Sequence, residues 1–316
     1  MDTKCRLCFT ELEDTFHVEE MMFGIKESFE YSICKNCKSL SLDKIPDNIS
    51  KYYPENYYSF AEQSSNKLIN WVSKKKCAND LGNTSFIGKI IRLIAGRNSN
   101  LYAIGLCKPD KDKTSILDVG CGEGYLLDKL DVQGFNSISG IDPYIFEDIH
   151  KPNYKIYKKS IEDLVEEKLK FDIIILSHVF EHLEHPKTSL ENILKLLNPK
   201  GYLILRTPMS MCFAFNKYGK NWFQIDAPRH ILIPSFPGLK NICESMGYDL
   251  KYYFFDSDSK QFLISENYKK GIPLISQKLN FIKTRFYPKA IYFGLKAHKL
   301  NTKNLGDQST IVFQKK

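Results

Sequence analysis

Short apolar runs and amphipathic stretches take turns along most of this chain. From Thr114 onward the runs are Ile116–Val119, Ser137–Ile141, Tyr154–Lys158, Phe171–Leu176 and Tyr202–Arg206. The fourth, FDIIIL, is an almost unbroken apolar run, the composition of a parallel strand covered on both faces. Between the fourth and fifth runs, Pro186–Leu197 carries Leu190, Ile193, Leu194 and Leu197 on one helical face. This alternation predicts βαβ units in an open, doubly wound α/β sheet of Rossmann-like type. A helix over Pro237–Met246, stopped at Gly247, leads to a sixth strand, Tyr248–Phe255. The last strand is predicted at Thr310–Gln314, TIVFQ. Between these two strands, Ser257–Asp307 exceeds a hairpin and holds helical stretches at Tyr268–Gly271, Leu274–Phe281 and Tyr292–Lys299, so a helical insertion is predicted there. Residues 65–107 also read as helices, one with Leu68, Ile69, Trp71 and Val72 on a face, another with Ile87, Ile90, Ile91, Leu93 and Ile94.

One stretch organises the rest. Ser115–Leu127, SILDVGCGEGYLL, runs from a strand through a glycine turn into a helix. Its D-x-G-x-G-x-G pattern is not the dehydrogenase G-x-G-x-x-G, because position 125 is tyrosine, and it lacks the lysine and hydroxyl of a P-loop. Side-chain-free positions let a ligand reach backbone N–H groups. Ligands of open α/β sheets bind beyond the carboxyl ends of the strands, so polar residues there carry the information. Asp142 ends the second strand about twenty residues after the glycines, the offset of a ribose-binding acid.

ILDVGCGEG resembles motif I of the class I S-adenosylmethionine-dependent methyltransferases. The resemblance implies that Asp118, Gly120, Cys121 and Gly122 hold the amino-acid end and ribose side of S-adenosylmethionine. It also implies that Asp142, followed by Pro143, takes the ribose hydroxyls, and it implies an antiparallel last strand. After the third strand the family shows an acid and an alanine near the adenine. Ser160 and Ile161 stand there instead, with Glu162 and Asp163 following, and the backbone near Ile161 is left to make the contact. After the fourth strand, Ser177-His178-Val179-Phe180-Glu181-His182 resembles motif IV of the glycan, quinone and small-molecule branch, with Ser177 at the cofactor edge. Some quinone methyltransferases bind a divalent ion at a similar E-x-x-E-H. Position 178 is histidine here, so that set is incomplete and His182 reads as a positioning residue or a base. Asn221–His230, NWFQIDAPRH, resembles the W…D-x-P-x-H segment of glycan-cluster methyltransferases. An imidazole works as a base near neutral pH, which makes His230 the first candidate and His182 the second. The chemistry implied is in-line displacement, where alignment does most of the work.

The nine cysteines divide into Cys5, Cys8, Cys34 and Cys37, two C-x-x-C pairs, and five scattered ones. Two such knuckles complete a four-thiolate site, and strand-like stretches at Phe16–Glu20 and Phe29–Ile33 make the segment a structural zinc ribbon. So short a segment has too little core to fold without metal. The expected organisation is a ribbon with an aromatic linker over 1–60, a helical connector over 61–112, and the Rossmann-like domain over 113–316 with its insertion at about 257–307. The linker run Tyr52–Phe60 holds five aromatics, suited either to covering a ligand mouth or to packing the ribbon on its neighbour.

An apolar content of 43% is ample for a core, and no apolar run approaches the ~18 residues of a membrane span. With no signal-peptide core near the N-terminus, a cytoplasmic protein without membrane insertion is expected. The net charge of +8 suits an anionic small-molecule or glycan acceptor, although a lysine-rich composition explains it as well. Together these point to methyl transfer to a sugar, nucleotide-linked or part of a surface glycan, at oxygen or carbon. An RNA base methyltransferase can also join a four-cysteine ribbon to this fold. Against it, the ribbon carries only Lys4, Arg6, Lys26, Lys35 and Lys38, and no N-P-P-F/Y motif follows the fourth strand, so nucleic acid is a poor fit. A non-catalytic cofactor-binding module is the third reading.

Overall fold

A computed structural model describes residues 4–53, 67–83, 85–277 and 287–316. Pro54–Phe60 of the aromatic run and the 278–281 end of one expected helix lie outside the described residues, as do the side chains of Leu68, Ile69, Leu93 and Ile94.

The N-terminal part holds β1 (Leu12–Glu19), β2 (Ser28–Cys34) and β3 (Leu40–Leu42), followed by α1 (Lys67–Asp80), α2 (Phe86–Ala95) and α3 (Ser99–Leu106). The alternating region follows as β4 (Ile116–Val119), α4 (Tyr125–Val132), β5 (Ile138–Ile141), β6 (Ile149–His150), β7 (Lys155–Tyr157), α5 (Ile161–Glu166), β8 (Phe171–Ser177), α6 (Pro186–Leu196) and β9 (Leu197–Pro208). The chain closes with α7 (Phe213–Tyr218), β10 (Leu232–Ile233), α8 (Phe236–Ser245), β11 (Tyr248–Phe255), α9 (Lys260–Tyr268), α10 (Pro288–Asn301) and β12 (Gln308–Lys315).

The large sheet has the order β11-β12-β9-β8-β4-β5-β7-β6. Its centre is parallel: β4 pairs with β5 and β8, β5 with β7, and β8 with β9. β12 inserts antiparallel between β9 and β11. Helices cover both faces. Leu117, Val119, Ile174 and Leu176 point into one core, and Ile116, Ile173 and Ile175 into the other. The switch in strand order lies at β4, whose carboxyl end carries the glycine turn.

The ribbon does not stand apart. Its sheet runs β1-β2-β3-β10, and the last strand comes from the far side of the chain, with Leu232 opposite Ser41 and Ile233 opposite Leu40. Cys5, Leu7, Cys34 and Cys37 belong to the same core as Leu205, Leu232 and Leu239. Val18, Tyr31, Leu40 and Leu42 pack with Trp222, Ile225, Ile231 and Phe262.

Three local expectations need correction. The fifth strand starts at Leu197, five residues early, because Asn198–Gly201 forms a bulge within it, with Lys200 at φ 61° and a register shift against Phe171–Ile173. The helix expected at Tyr268–Gly271 lies instead at Lys260–Tyr268, and Gly271 at φ 72° followed by Pro273 stops it. At Leu274–Ser276 a single 3-10 turn replaces a helix. Among the described residues, no helix is long and apolar enough to cross a membrane.

Candidate active site

At the carboxyl end of β4 the chain turns through Gly120 at φ 66°, Gly122 at φ 53° and Gly124 at φ 90°, left-handed conformations that a Cβ disfavours. A Cβ on Gly120 would also collide with Val179 Cγ2, which ties the turn to the segment after β8. Asp118, buried beneath the turn, is 5% exposed. Burial, and then the charge of Asp142, push its pKa up to about 7. Asp142 accepts from Gly122 N at 3.0 Å and Tyr144 N at 2.9 Å, so one carboxylate spans the turn and the end of β5. Cys121 is half-buried in the turn, and Pro143 is exposed at the rim.

Ser177 ends β8, and its Oγ accepts from Asn100 Nδ2 at 3.0 Å. Asn100 Oδ1 is buried without a hydrogen-bond partner. An orphaned acceptor beside a glycine cradle and two carboxylates fits a ligand with a cationic or hydroxyl-bearing end, as S-adenosylmethionine has. Nothing in the pattern around Asn100 marks it as a site residue. The slot after β7 is also resolved. Asp163 folds back onto Ser160 in a capping box, its Oδ2 accepting from Ser160 N at 2.7 Å, and Glu162 accepts from Asn192 at 3.1 Å. Neither acid replaces the missing one, and Ile161 is 5% exposed at the start of α5.

The second half of the site follows β8. His178, at φ 58°, places Nδ1 3.1 Å from Glu181 Oε1 and Nε2 2.6 Å from Arg206 Nη1. Arg206 Nε donates to Asp256 Oδ2 at 2.7 Å. Glu181 is fully buried, and its Oε2 accepts from Thr207 Oγ1 at 2.9 Å. Burial alone would raise its pKa, but the His178 hydrogen bond and the nearby histidines hold it at about 2.

His182 and His230 meet above this carboxylate, their ring centres 4.8 Å apart. His182 Nδ1 lies 2.8 Å from Arg229 O, and His230 Nδ1 lies 2.7 Å from Gln224 O. A carbonyl only accepts, so both Nδ1 atoms carry a proton. His230 Nε2 lies 4.0 Å from Glu181 Oε1 and 3.8 Å from Asp226 Oδ2. His182 is half-buried, while His230 is 7% exposed behind it. Burial, and then His230, lower the His182 pKa to about 4, which keeps that ring neutral at pH 7. Glu181, His182 and His230 gather within 4.8 Å, as a cation site would require. Both oxygens of Glu181 are nevertheless engaged by His178 and Thr207, so the carboxylate serves the side chains around it.

The four ribbon cysteines converge separately. Cys5 Sγ is 3.6 Å from Cys37 Sγ, Cys8 Sγ is 3.4 Å from Cys34 Sγ, and all four lie within 4.8 Å of one another. These are free thiols at roughly the sulfur spacing that Zn–S bonds of about 2.3 Å impose on a tetrahedron. Leu7 N and Cys37 N point at Cys5 and Cys34 Sγ, each at 3.4 Å, as knuckle amides do for a thiolate. The residues fit a structural zinc.

Comparison with known proteins places the chain among relatives. A family model described as "Methyltransferase domain" matches residues 92–252, half of the chain. The ubiquinone biosynthesis O-methyltransferase of Rickettsia bellii is 36% identical over 108 residues, 31% of this chain and 43% of that protein. The enzyme of the same name from Rickettsia canadensis is 35% identical over 116 residues, 34% of this chain and 48% of the relative. The match thus spans less than half the length of these curated relatives. A SAM-dependent methyltransferase structure from Archaeoglobus fulgidus aligns with 73% of this chain and all of that one, at 18% identity and a TM-score of 0.42.

Proposed function

Since the chain belongs to the methyltransferase family whose model it matches, we propose that it methylates a hydroxyl of a sugar, nucleotide-linked or part of a surface-glycan intermediate, using S-adenosylmethionine. The observation that carries this reading is the pair of imidazoles in edge-to-face contact, each with Nδ1 tied to a main-chain carbonyl, on the segments that follow β8 and precede β10. The cofactor supplies an electrophilic methyl on a sulfonium. The chain's part is to orient the acceptor and take one proton as the new bond forms. An alcohol needs a base of that kind during attack. A carbon acceptor would need a carbanion first, and a thiolate would need neither. On this reading the more exposed His182 is the base and His230, with Glu181 close to it, the supporting ring, the reverse of the order the sequence suggests.

Polar walls support a sugar. His178, Arg206, Asp226, His182 and His230 gather there around the buried Glu181, and Arg206 pairs with Asp256. A second reading, O-methylation of a quinone precursor, is favoured by the names of the Rickettsia relatives. Labelled S-adenosylmethionine incubated with the protein and, in separate arms, nucleotide-sugar pools, lipid extract and total RNA decides between them. Label in the sugar arm alone is the expected result. Label in lipid alone moves the acceptor to a quinone, label in RNA ends both, and label nowhere leaves a binding module.

A further inference from the structure

The segment that holds the histidines takes its hydrogen bonds from the ribbon. Tyr31 Oη donates to His230 O at 2.8 Å, Leu42 N donates to Ile231 O at 2.9 Å, and Leu232 and Ile233 pair with β3. Ser235 Oγ donates to Cys37 O, and Ser210 Oγ donates to Lys38 O at 2.7 Å. Tyr53 Oη lies 3.2 Å from His182 Nδ1. At the centre is Arg229, fully buried between the two halves. Its Nη2 meets Glu20 Oε1 at 3.1 Å and Asp226 Oδ1 at 2.5 Å, its Nε meets Asp226 Oδ2 at 3.0 Å, and its Nη1 meets Tyr52 O at 3.2 Å. Glu20, also fully buried, accepts from Met22 N, Phe23 N and Ile25 N at 3.0, 2.9 and 3.0 Å. The hairpin loop after β1 is wrapped around this one carboxylate.

A buried ion pair is weak evidence of a stability device, because desolvation consumes most of the Coulomb gain and apolar packing would serve as well. What such a pair supplies is a fixed direction. Both hands of the guanidinium are used, so Arg229 cannot turn, and its carbonyl is the acceptor that sets the His182 tautomer. Asp226, held by the same fork, lies beside His230 Nε2. We propose that Glu20 and Arg229 are positioning residues, a clamp through which the ribbon fixes the ring orientation and tautomer of His182 and His230. This assignment rests on the methyl-transfer reading for what the two rings do, and not for how they are held.

The test uses the full chain, zinc-loaded, with its histidines labelled with nitrogen-15 and S-adenosylhomocysteine added. Long-range proton–nitrogen spectra, assigned through His182→Gln and His230→Gln, report each ring's tautomer. The unsubstituted protein should show both rings as the single Nδ1–H form. Glu20→Gln removes the charge of the clamp, and Arg229→Lys keeps the charge but loses the fork. Each should shift His182 and His230 to mixed tautomers, leave the S-adenosylhomocysteine Kd within about twofold, and lower kcat at least tenfold with the acceptor that labelling identifies. If Glu20→Gln fails to fold, Arg229→Lys carries the test alone. A folded variant with the tautomers and turnover of the unsubstituted chain overturns the proposal. No cofactor binding by the unsubstituted chain would count against methyl transfer while leaving the tautomer comparison intact.

Discussion

If Asp118 meets the cofactor as proposed, its raised pKa makes cofactor affinity a function of pH. Asp118 is 5% exposed and lies near a second carboxylate, Asp142, so its proton leaves at about 7 in place of 3.8. The shift is about three units, on the order of 4 kcal/mol against the ionised form in the ligand-free protein. A ligand that brings positive charge to this carboxylate must first drive the proton off. The dissociation constant for S-adenosylmethionine should therefore be flat above pH 8 and weaken about tenfold per unit below 7, about a hundredfold by pH 5. At pH 7 about half a proton should be released on binding. Calorimetry in two buffers of different ionisation enthalpy measures both quantities. Asp118→Asn should bind weakly but with no slope over the same range. For the ligand-free protein the sign is that of an acid with a raised folded pKa. Its contribution to stability is present at pH 4, is lost as pH rises through about 7, and disappears in Asp118→Asn. Affinities within twofold at pH 5.5 and 8, or an unchanged slope in Asp118→Asn, would refute the assignment of this carboxylate to the cofactor.

Three further outcomes follow from the same geometry. Gly120→Ala should lower Tm and cofactor affinity together, with ~1–2 kcal/mol from the left-handed φ of 66° and more from the collision with Val179; adding Val179→Ala should recover only the second part, as melting curves and calorimetry would show. Gently purified protein should carry about one zinc per chain by elemental analysis, and a strong chelator should melt the ribbon, seen by circular dichroism, together with the β3–β10 pairing that holds the histidine loop. Stability should fall as pH drops from 6.5 to 4, because an unfolded histidine takes up a proton that buried His182 refuses until about 4; urea melts of His182→Gln should show a shallower slope.

How much of this was legible from the residues varies with the range of the interaction. The strand runs, the glycine turn and the two knuckles are local patterns, and the central strands fall within a residue or two of their expected ends. The expected ligand residues Asp118, Gly120, Cys121, Gly122 and Asp142 lie together at one sheet edge, with Gly120 against Val179 and Ser177 just before it. Strand β10 is two residues long and reads as part of an apolar loop, ILIP, until its partner is known. Arg229 and Glu20 are 209 positions apart, and neither carries a local sign of the other. Glu20 looks like one of many surface acids, and only the three amides that close around it explain its burial. Asn98-Ser99-Asn100 reads as a break between helices, yet Asn98 caps α3 and Asn100 reaches Ser177. Side chains whose role depends on a distant strand leave no period in the sequence.

The division of labour between the halves bears on the acceptor. The family model begins at residue 92, so the ribbon lies outside it, while the segment from Arg229 to Ser235 lies inside yet takes its support from that ribbon. The sheet and its glycine turn account for what is donated, and a protein sharing only those elements can share the donor. The proposed acceptor site depends on Glu20, Tyr31 and Tyr53, which reach across from the N-terminal part to Arg229, His230 and His182. Two chains can then agree closely at the cofactor and differ in what they methylate. The feature to compare between candidates for the same acceptor is the buried arginine directly after Pro228, together with the ribbon carboxylate that meets it.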